Sequence, residues 1–358
     1  MTTKVISRIG LLDSCLPNMI IIIEKIDDIE KLNHSQESAL ECLLWAYGRG
    51  NQVLWMPVDI IETLIKKTCF SDYAKRALVD LKTFSIFSKN LLKTEFDFRV
   101  IVDFSEKHKL LSTEKQLTVG YEIILDEKFL LEPVLLTENE IDAKVYTLFA
   151  KAIFSSRKNL NLAYEINIDP HGGGGSDTIK TFERLLHENR LFICLLDSDI
   201  KHPKGPLGET AKHFAIHPKG LNRNCHLKIL NAHEIENLIP IPIIEHLFAK
   251  EHLGHLFQHA NPIKFKRYPD HKNGLLVEQA KNQDSHHGDT FWKDFYHLGD
   301  HTYICAKLNS LIEQTKHFLE NTSTYKIQEF LDKEADEELF TISNIIANWG
   351  VKLRRRLS

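Results

Sequence analysis

The sequence predicts an α/β protein, and three observations predict it. Leu191–Leu196 is an unbroken apolar run that stops at Asp197-Ser198-Asp199, which reads as a strand buried on both faces of a parallel sheet. Between about 129 and 245, strand-like and helix-like segments alternate, the order of a parallel sheet with crossover helices. Residues 1–125 repeat that mixture, with short β-like runs at Met19–Ile23, Val53–Met56 and Phe98–Val102 among helical patterns at 36–48, 58–67 and 72–83. The expected organisation is an N-terminal α/β domain (1–125) of unassigned role, a central sheet domain with flanking helices (129–245), and a mostly helical C-terminal region (246–358) with loops at 261–275 and 281–290.

Within the central segment each element has a local reason. Pro133–Thr137 forms the first strand and Glu138 ends it; Asn139 caps a helix whose Ile141, Val145, Leu148, Phe149 and Ala152 share one face. Leu162–Ile168 is the expected second strand, leading into His171-Gly-Gly-Gly-Gly-Ser176. Ser176 or Asp177 then caps a helix that buries Ile179, Phe182, Leu185 and Leu186. The third strand delivers Asp197 and Asp199. A parallel sheet brings Glu138 and the aspartate pair to one edge, the edge where open α/β sheets place their chemistry.

Composition sets limits. At 358 residues, 43% hydrophobic and 26% charged, the chain is long enough for two or three ordinary globular domains. A net charge of −4 gives no bulk attraction to polyanions, so contact with nucleic acid requires a local patch. Met19–Ile23 is too short to span a bilayer and no signal-like segment precedes it, so a cytoplasmic protein without a membrane partner is expected. Cys15, Cys42, Cys69, Cys194, Cys225 and Cys305 lack C-x-x-C spacing and read as small buried hydrophobes, which argues against a zinc ribbon or a disulfide framework. The 19 histidines read mostly as surface or packing residues.

The acids carry the chemistry. Asp197 and Asp199 stand one residue apart and can hold a hard cation such as Mg²⁺ through oxygen ligands, although D-x-D is also common in solvated turns. Glu138 and Asp142 could instead favour a helix N-terminus through its dipole. The four glycines offer either flexibility or backbone N–H groups for a phosphate. They lack the Lys-Ser/Thr ending of a P-loop, so no ATP site is read there. Asp27 and Asp28 read as a loop start, and Lys201 and Lys204 as phosphate contacts or exposed loop lysines. Arg354–Arg356 reads as a solvated tail or a nucleic-acid contact.

Three features occur in a fixed order: Glu138 with Asp142 after one strand, glycines 172–175 after a second, and Asp197-x-Asp199 after a third. This order resembles the Toprim domain of topoisomerases, bacterial primases and OLD-family nucleases. His233-Glu-Ile-Glu-Asn-Leu-Ile-Pro240 is similar to an E-I-E-N segment of Toprim-like nucleases in bacterial anti-phage systems. The resemblance covers about a third of the chain, with Asn139 where the family often has glycine. No tyrosine stands in a recognisable strand-passage context and primase zinc cysteines are absent, which leaves the nuclease branch.

The resemblance implies a Toprim-like central sheet and an Mg²⁺- or Mn²⁺-dependent nuclease acting on DNA or RNA, the effector of an anti-phage system. It implies Asp197 and Asp199 as metal ligands, and Glu138 as a ligand of a second metal or as general base. Asp142 assists, and of Glu234 and Glu236 one faces the site, with Glu234 preferred for catalysis and Glu236 a metal-ligand or structural candidate. A partner ATPase or sensor subunit is expected, since OLD-type nucleases work with an ATPase, and a homo-oligomer is left open. Two alternatives stay beside it: a non-catalytic Toprim-like subunit that binds nucleic acid or protein, and a primase-like nucleotidyltransferase.

Overall fold

The computed structural model describes residues 20–157, 160, 162, 164–354 and 357; Cys15, Met19, Arg355 and Arg356 lie outside the described residues. The chain forms an α/β structure whose two larger sheets are mostly parallel and flanked by helices. The first sheet contains β1 (Ile20–Ile22), β2 (Val53–Trp55), β3 (Arg99–Asp103), β4 (Leu110–Ser112) and β5 (Gln116–Gly120) in the order β2-β1-β3-β5-β4, with only β4 antiparallel. Its helices are α1 (His34–Gly48), α2 (Val58–Lys66) and α3 (Asp72–Glu95). Asn33 and Gln36 close a capping box on α1, and the Ser71 hydroxyl accepts from Ala74 N–H at the start of α3. Helix α3 runs past the expected end at residue 83 because neither glycine nor proline occurs before Phe96.

The second sheet contains β6 (Val134–Thr137), β8 (Asp169–Gly172), β9 (Phe192–Leu196), β10 (Gly220–Asn222) and β11 (Cys225–Ile229) in the order β10-β11-β9-β6-β8, with only β10 antiparallel. Alternate residues of β9 serve opposite faces. Phe192, Cys194 and Leu196 pack with Val134, Leu136, Phe182 and Phe214 on the side of α5 (Thr178–His187). Leu191, Ile193 and Leu195 pack on the other side, with Leu135 and the apolar face of α4 (Glu140–Ser155). Both faces are covered, as the apolar run required.

Two expectations are corrected: most of the loop expected at 281–290 belongs to a helix, Val277–His287, and the second strand is misplaced. The expected second strand, Leu162–Ile168, does not join this sheet: its core, β7 (Tyr164–Ile166), pairs antiparallel with β14 (Val351–Leu353). The strand beside β6 is the polar segment Asp169-Pro-His-Gly172. It lies at the sheet's edge, where proline costs no ladder bond and one side meets water, so it needs no apolar run.

The C-terminal segment carries α6 (Val277–His287), α7 (Leu311–Asn321) and α8 (Glu337–Gly350), with the short pair β12 (Leu275–Leu276) and β13 (Tyr303–Cys305). Helices α7 and α8 pack on α4. A single buried cluster runs from Ile21 and Val100 through Leu135 and Ile193 to Trp292 and Ile346. Cys194, Cys225 and Cys305 are buried as expected, whereas Cys69 is exposed; all five described cysteines are free thiols. No helix among the described residues is long and apolar enough to cross a membrane.

Candidate metal centre

Strands β11, β9 and β6 are neighbours and run parallel, so their C-terminal ends open on one edge. Glu138 follows β6, Asp197 and Asp199 follow β9, and His233, Glu234 and Glu236 follow β11. The D-S-D turn is held against the β11 loop by its middle residue. The buried Ser198 hydroxyl donates to Ala232 O at 2.6 Å, and Asp199 N–H donates to His233 O at 2.9 Å. Asp199 adopts φ 55°, a left-handed conformation that aspartate tolerates better than most residues.

The glycine turn fixes Glu138. Gly173 N–H donates to Thr137 O at 2.8 Å, and Gly174 and Gly175 donate to Glu138 O at 3.0 and 3.4 Å. Those N–H groups are spent on the backbone carbonyls of Thr137 and Glu138, so the phosphate cradle considered from the sequence is not what they form. A Cβ on Gly172 would come within 2.7 Å of Glu140 N, so the turn requires a residue without one. Asn139 sits at φ −123°, extended backbone open to any residue.

The acids face one another. Burial pushes Glu138 up to about 7, with the Asp199 and Asp142 carboxylates adding to it. Burial raises Asp142 to about 6. Asp197 stands well above the usual carboxylate range through burial and the charges of Asp142 and Glu138. Glu236 is raised to about 7 by burial and by Glu234. One cation sits among them: Lys272 pairs with Glu234 at 2.9 Å and Glu236 at 3.0 Å. Burial works against its ammonium, and these two carboxylates outweigh it, holding its pKa above the ordinary value.

Glu138 Oε1, Glu234 Oε1, Glu236 Oε2 and the Tyr146 hydroxyl are buried with no hydrogen-bond partner among the described residues. Buried carboxylate oxygens without donors are costly. Carboxylates are the ligand type of an oxygen-seeking ion such as Mg²⁺ or Mn²⁺, but among the described residues the group whose ligand atoms lie within 4.8 Å of one another is His233, Glu234 and Asp270, not Glu138, Asp142, Asp197, Asp199 and Glu236.

The raised carboxylates set a pH dependence. Their native pKa values lie above the unfolded ones, so the stability they contribute is complete below about pH 4 and lost as pH rises to about 7. A tenfold change in a carboxyl's proton affinity corresponds to about 1.4 kcal/mol, and to less at the half-buried Glu138, where solvent screens the charge. In EDTA the melting temperature should therefore fall between pH 5 and pH 8. Mg²⁺ or Mn²⁺ should restore it at pH 8 and change it little at pH 5; scanning calorimetry at the two pH values checks this.

Glu234 and Glu236 do not divide between site and scaffold as the sequence led us to expect. Glu234 is extended (φ −146°) and Ile235–Leu238 form one 3₁₀ turn rather than an α-helix, so both side chains reach Lys272. Sequence reasoning missed Asn237, Lys272, His233 and Asp270. Asn237 accepts from Glu234 N–H at 3.0 Å and donates to Lys266 O at 2.7 Å and Pro269 O at 2.8 Å, tying the E-I-E-N segment to the loop that carries Asp270 and Lys272. His233 is buried. One donor atom from each of His233, Glu234 and Asp270 lies within 4.8 Å of the others. Lys201 pairs with Asp270 at 3.4 Å and Lys204 with Asp289 at 3.2 Å. Arg354 donates to Tyr164 O at 2.6 Å.

No family model, no curated protein and no solved structure matches this chain.

Proposed function

We propose that the protein is a metal-dependent phosphodiesterase of the Toprim-like nuclease kind, cleaving DNA or RNA at the edge formed by β6, β9 and β11. One observation carries the reading: adjacent parallel strands deliver Glu138, Asp197 and Asp199 to the same edge, where Glu138 Oε1 is buried with no hydrogen-bond partner among the described residues. Asp197 and Asp199 would hold the ion, with Glu138 and Asp142 beside them. When bound, the ion supplies charge stabilisation at the phosphate oxygens and lowers the pKa of a bound water. Glu138, with its pKa near 7 and Oε1 free, is suited to take a proton from the attacking water. Lys272 pairs with Glu234 and Glu236 and holds both side chains in place. The test is incubation of the purified chain with plasmid DNA and with structured RNA in Mg²⁺, Mn²⁺ or EDTA; cleavage that EDTA abolishes is expected, and intact substrates in every condition would refute the reading.

A cleft of about 880 Å³ shares Lys201 and Asp270 with the site and is lined further by Tyr268, Gln283, His286 and Lys307. Cations, a ring and amides suit a nucleic-acid strand. A Lys201→Ala/Lys307→Ala variant should bind a single-stranded oligonucleotide about tenfold more weakly, and the slope of log affinity against log salt should fall by roughly 0.7 per lost phosphate contact. Unchanged affinity and slope in fluorescence anisotropy would place the strand elsewhere. The anti-phage role and the ATPase or sensor partner rest on the resemblance, and pull-down of the chain expressed from its own operon tests the partner.

A further inference from the structure

We propose that His233, Glu234 and Asp270 form a second cation site, separate from the Asp197/Asp199 position and built for a first-row transition ion such as Mn²⁺ rather than for Mg²⁺. It stands on the side chains alone and does not depend on the hydrolytic reading. Three ligand atoms, one per residue, already lie within 4.8 Å of each other. Three donors spread round one ion at about 2.1–2.2 Å stand roughly 3.7 Å apart, so each ligand atom closes by about 0.6 Å or less when the ion binds.

Two of the three side chains are waiting for a partner. His233 is 3% exposed and its Nδ1 has no partner among the described residues; Glu234 is 7% exposed, with Oε2 on Lys272 and Oε1 unpartnered. Asp270 is anchored differently, accepting from the backbone N–H groups of Lys272 and Asn273 at 3.0 and 2.9 Å and from the Asn273 amide at 2.8 Å. Its remaining contact is the partly exposed Lys201 at 3.4 Å, a long ion pair that an arriving cation would displace.

The backbone is set before any ion arrives. His233 N–H donates to Arg267 O at 2.7 Å, its carbonyl accepts from Asp199, and Asn237 clamps Lys266 and Pro269. The donor type then selects the ion. Mg²⁺ favours oxygen and keeps most of its waters, whereas an imidazole nitrogen beside two carboxylates favours first-row transition ions, of which Mn²⁺ is the weakest bound and the one that spectroscopy reads directly. Three protein ligands also leave positions for water or a substrate oxygen.

The test is Mn²⁺ titration of the full chain, followed by electron paramagnetic resonance, for the wild type and for His233→Leu, Asp270→Asn and Asp197→Asn/Asp199→Asn, with circular dichroism melts to confirm folding. The wild type should show ¹⁴N coupling to bound Mn²⁺ that persists in excess Mg²⁺. His233→Leu should lose that coupling, and it and Asp270→Asn should each bind that Mn²⁺ equivalent at least about tenfold more weakly. The Asp197→Asn/Asp199→Asn variant should keep the coupling, which separates this site from the other. Absence of nitrogen coupling in the wild type, its survival in folded His233→Leu, or its loss to Mg²⁺ would overturn the proposal.

Discussion

Replacing Asp197 and Asp199 together by asparagine is expected to abolish metal-dependent cleavage and to raise the melting temperature of the metal-free protein. The two effects have one cause. Burial and the neighbouring Asp142 and Glu138 hold the Asp197 carboxyl well above its usual range, so its ionised form works against folding at neutral pH. Asparagine keeps the shape and removes the charge. At residue 199, with φ 55°, asparagine also tolerates the left-handed backbone that alanine would strain. The stability gain should be on the order of 1–2 kcal/mol, about a few degrees or less for a chain of this size. Cleavage should fall by at least roughly 10³-fold, the equivalent of about 4 kcal/mol of charge stabilisation lost with the ion. A variant that melts higher without metal and no longer responds to Mg²⁺ is the expected outcome of paired calorimetry and gel assays; a variant that melts lower and still cleaves would contradict it.

Gly208→Ala should have the second-largest effect, although residue 208 bears no functional group. A methyl there would overlap Cβ, Cγ and Oδ2 of Asp199, and Gly208 N–H is tied to Ser198 O at 2.8 Å, so the backbone cannot retreat. Its φ of −67° is ordinary, which makes close approach the reason for glycine here rather than backbone freedom. The carboxylate that yields is Asp199, and displacement of a positioned ligand by an ångström costs about 10²-fold in rate. Gly299→Ala is the control: its added carbon meets Thr302 Oγ1 at 3.6 Å, an ordinary contact, and activity should match the wild type. Rates of the two variants under saturating Mg²⁺ decide the point, equal rates counting against the role of Gly208.

Some of this site was legible in the sequence. Strands β6 and β9 are apolar runs that end at their acids, because a strand covered on both faces must be apolar until it leaves the sheet. Strand β8 was not legible, since an edge strand of Asp, Pro, His and Gly carries no periodic signal. The glycine run was visible, yet its work of fixing the Glu138 carbonyl depends on hydrogen bonds that composition does not encode. Asp270 and Lys272 lie some seventy residues beyond the aspartate pair, in a stretch that reads only as a loop. They reach the site through Asn237, which looked like a motif letter and is the clamp. The loss of alternation at Glu234 and Glu236 has a similar origin: one 3₁₀ turn turns two acids toward the same lysine.

The most direct measurement is cleavage of a substrate carrying sulfur at the scissile phosphate, each non-bridging position in turn, with Mg²⁺ and with Mn²⁺. Sulfur is a poor ligand for Mg²⁺ and a better one for softer ions. If an ion held by Asp197 and Asp199 touches the phosphate during the reaction, one sulfur position should slow cleavage in Mg²⁺ by about tenfold or more, and Mn²⁺ should restore it. Cleavage that ignores sulfur in both ions, or no metal-dependent cleavage of the unmodified substrate, would contradict the assignment of this carboxylate edge as a phosphodiesterase centre.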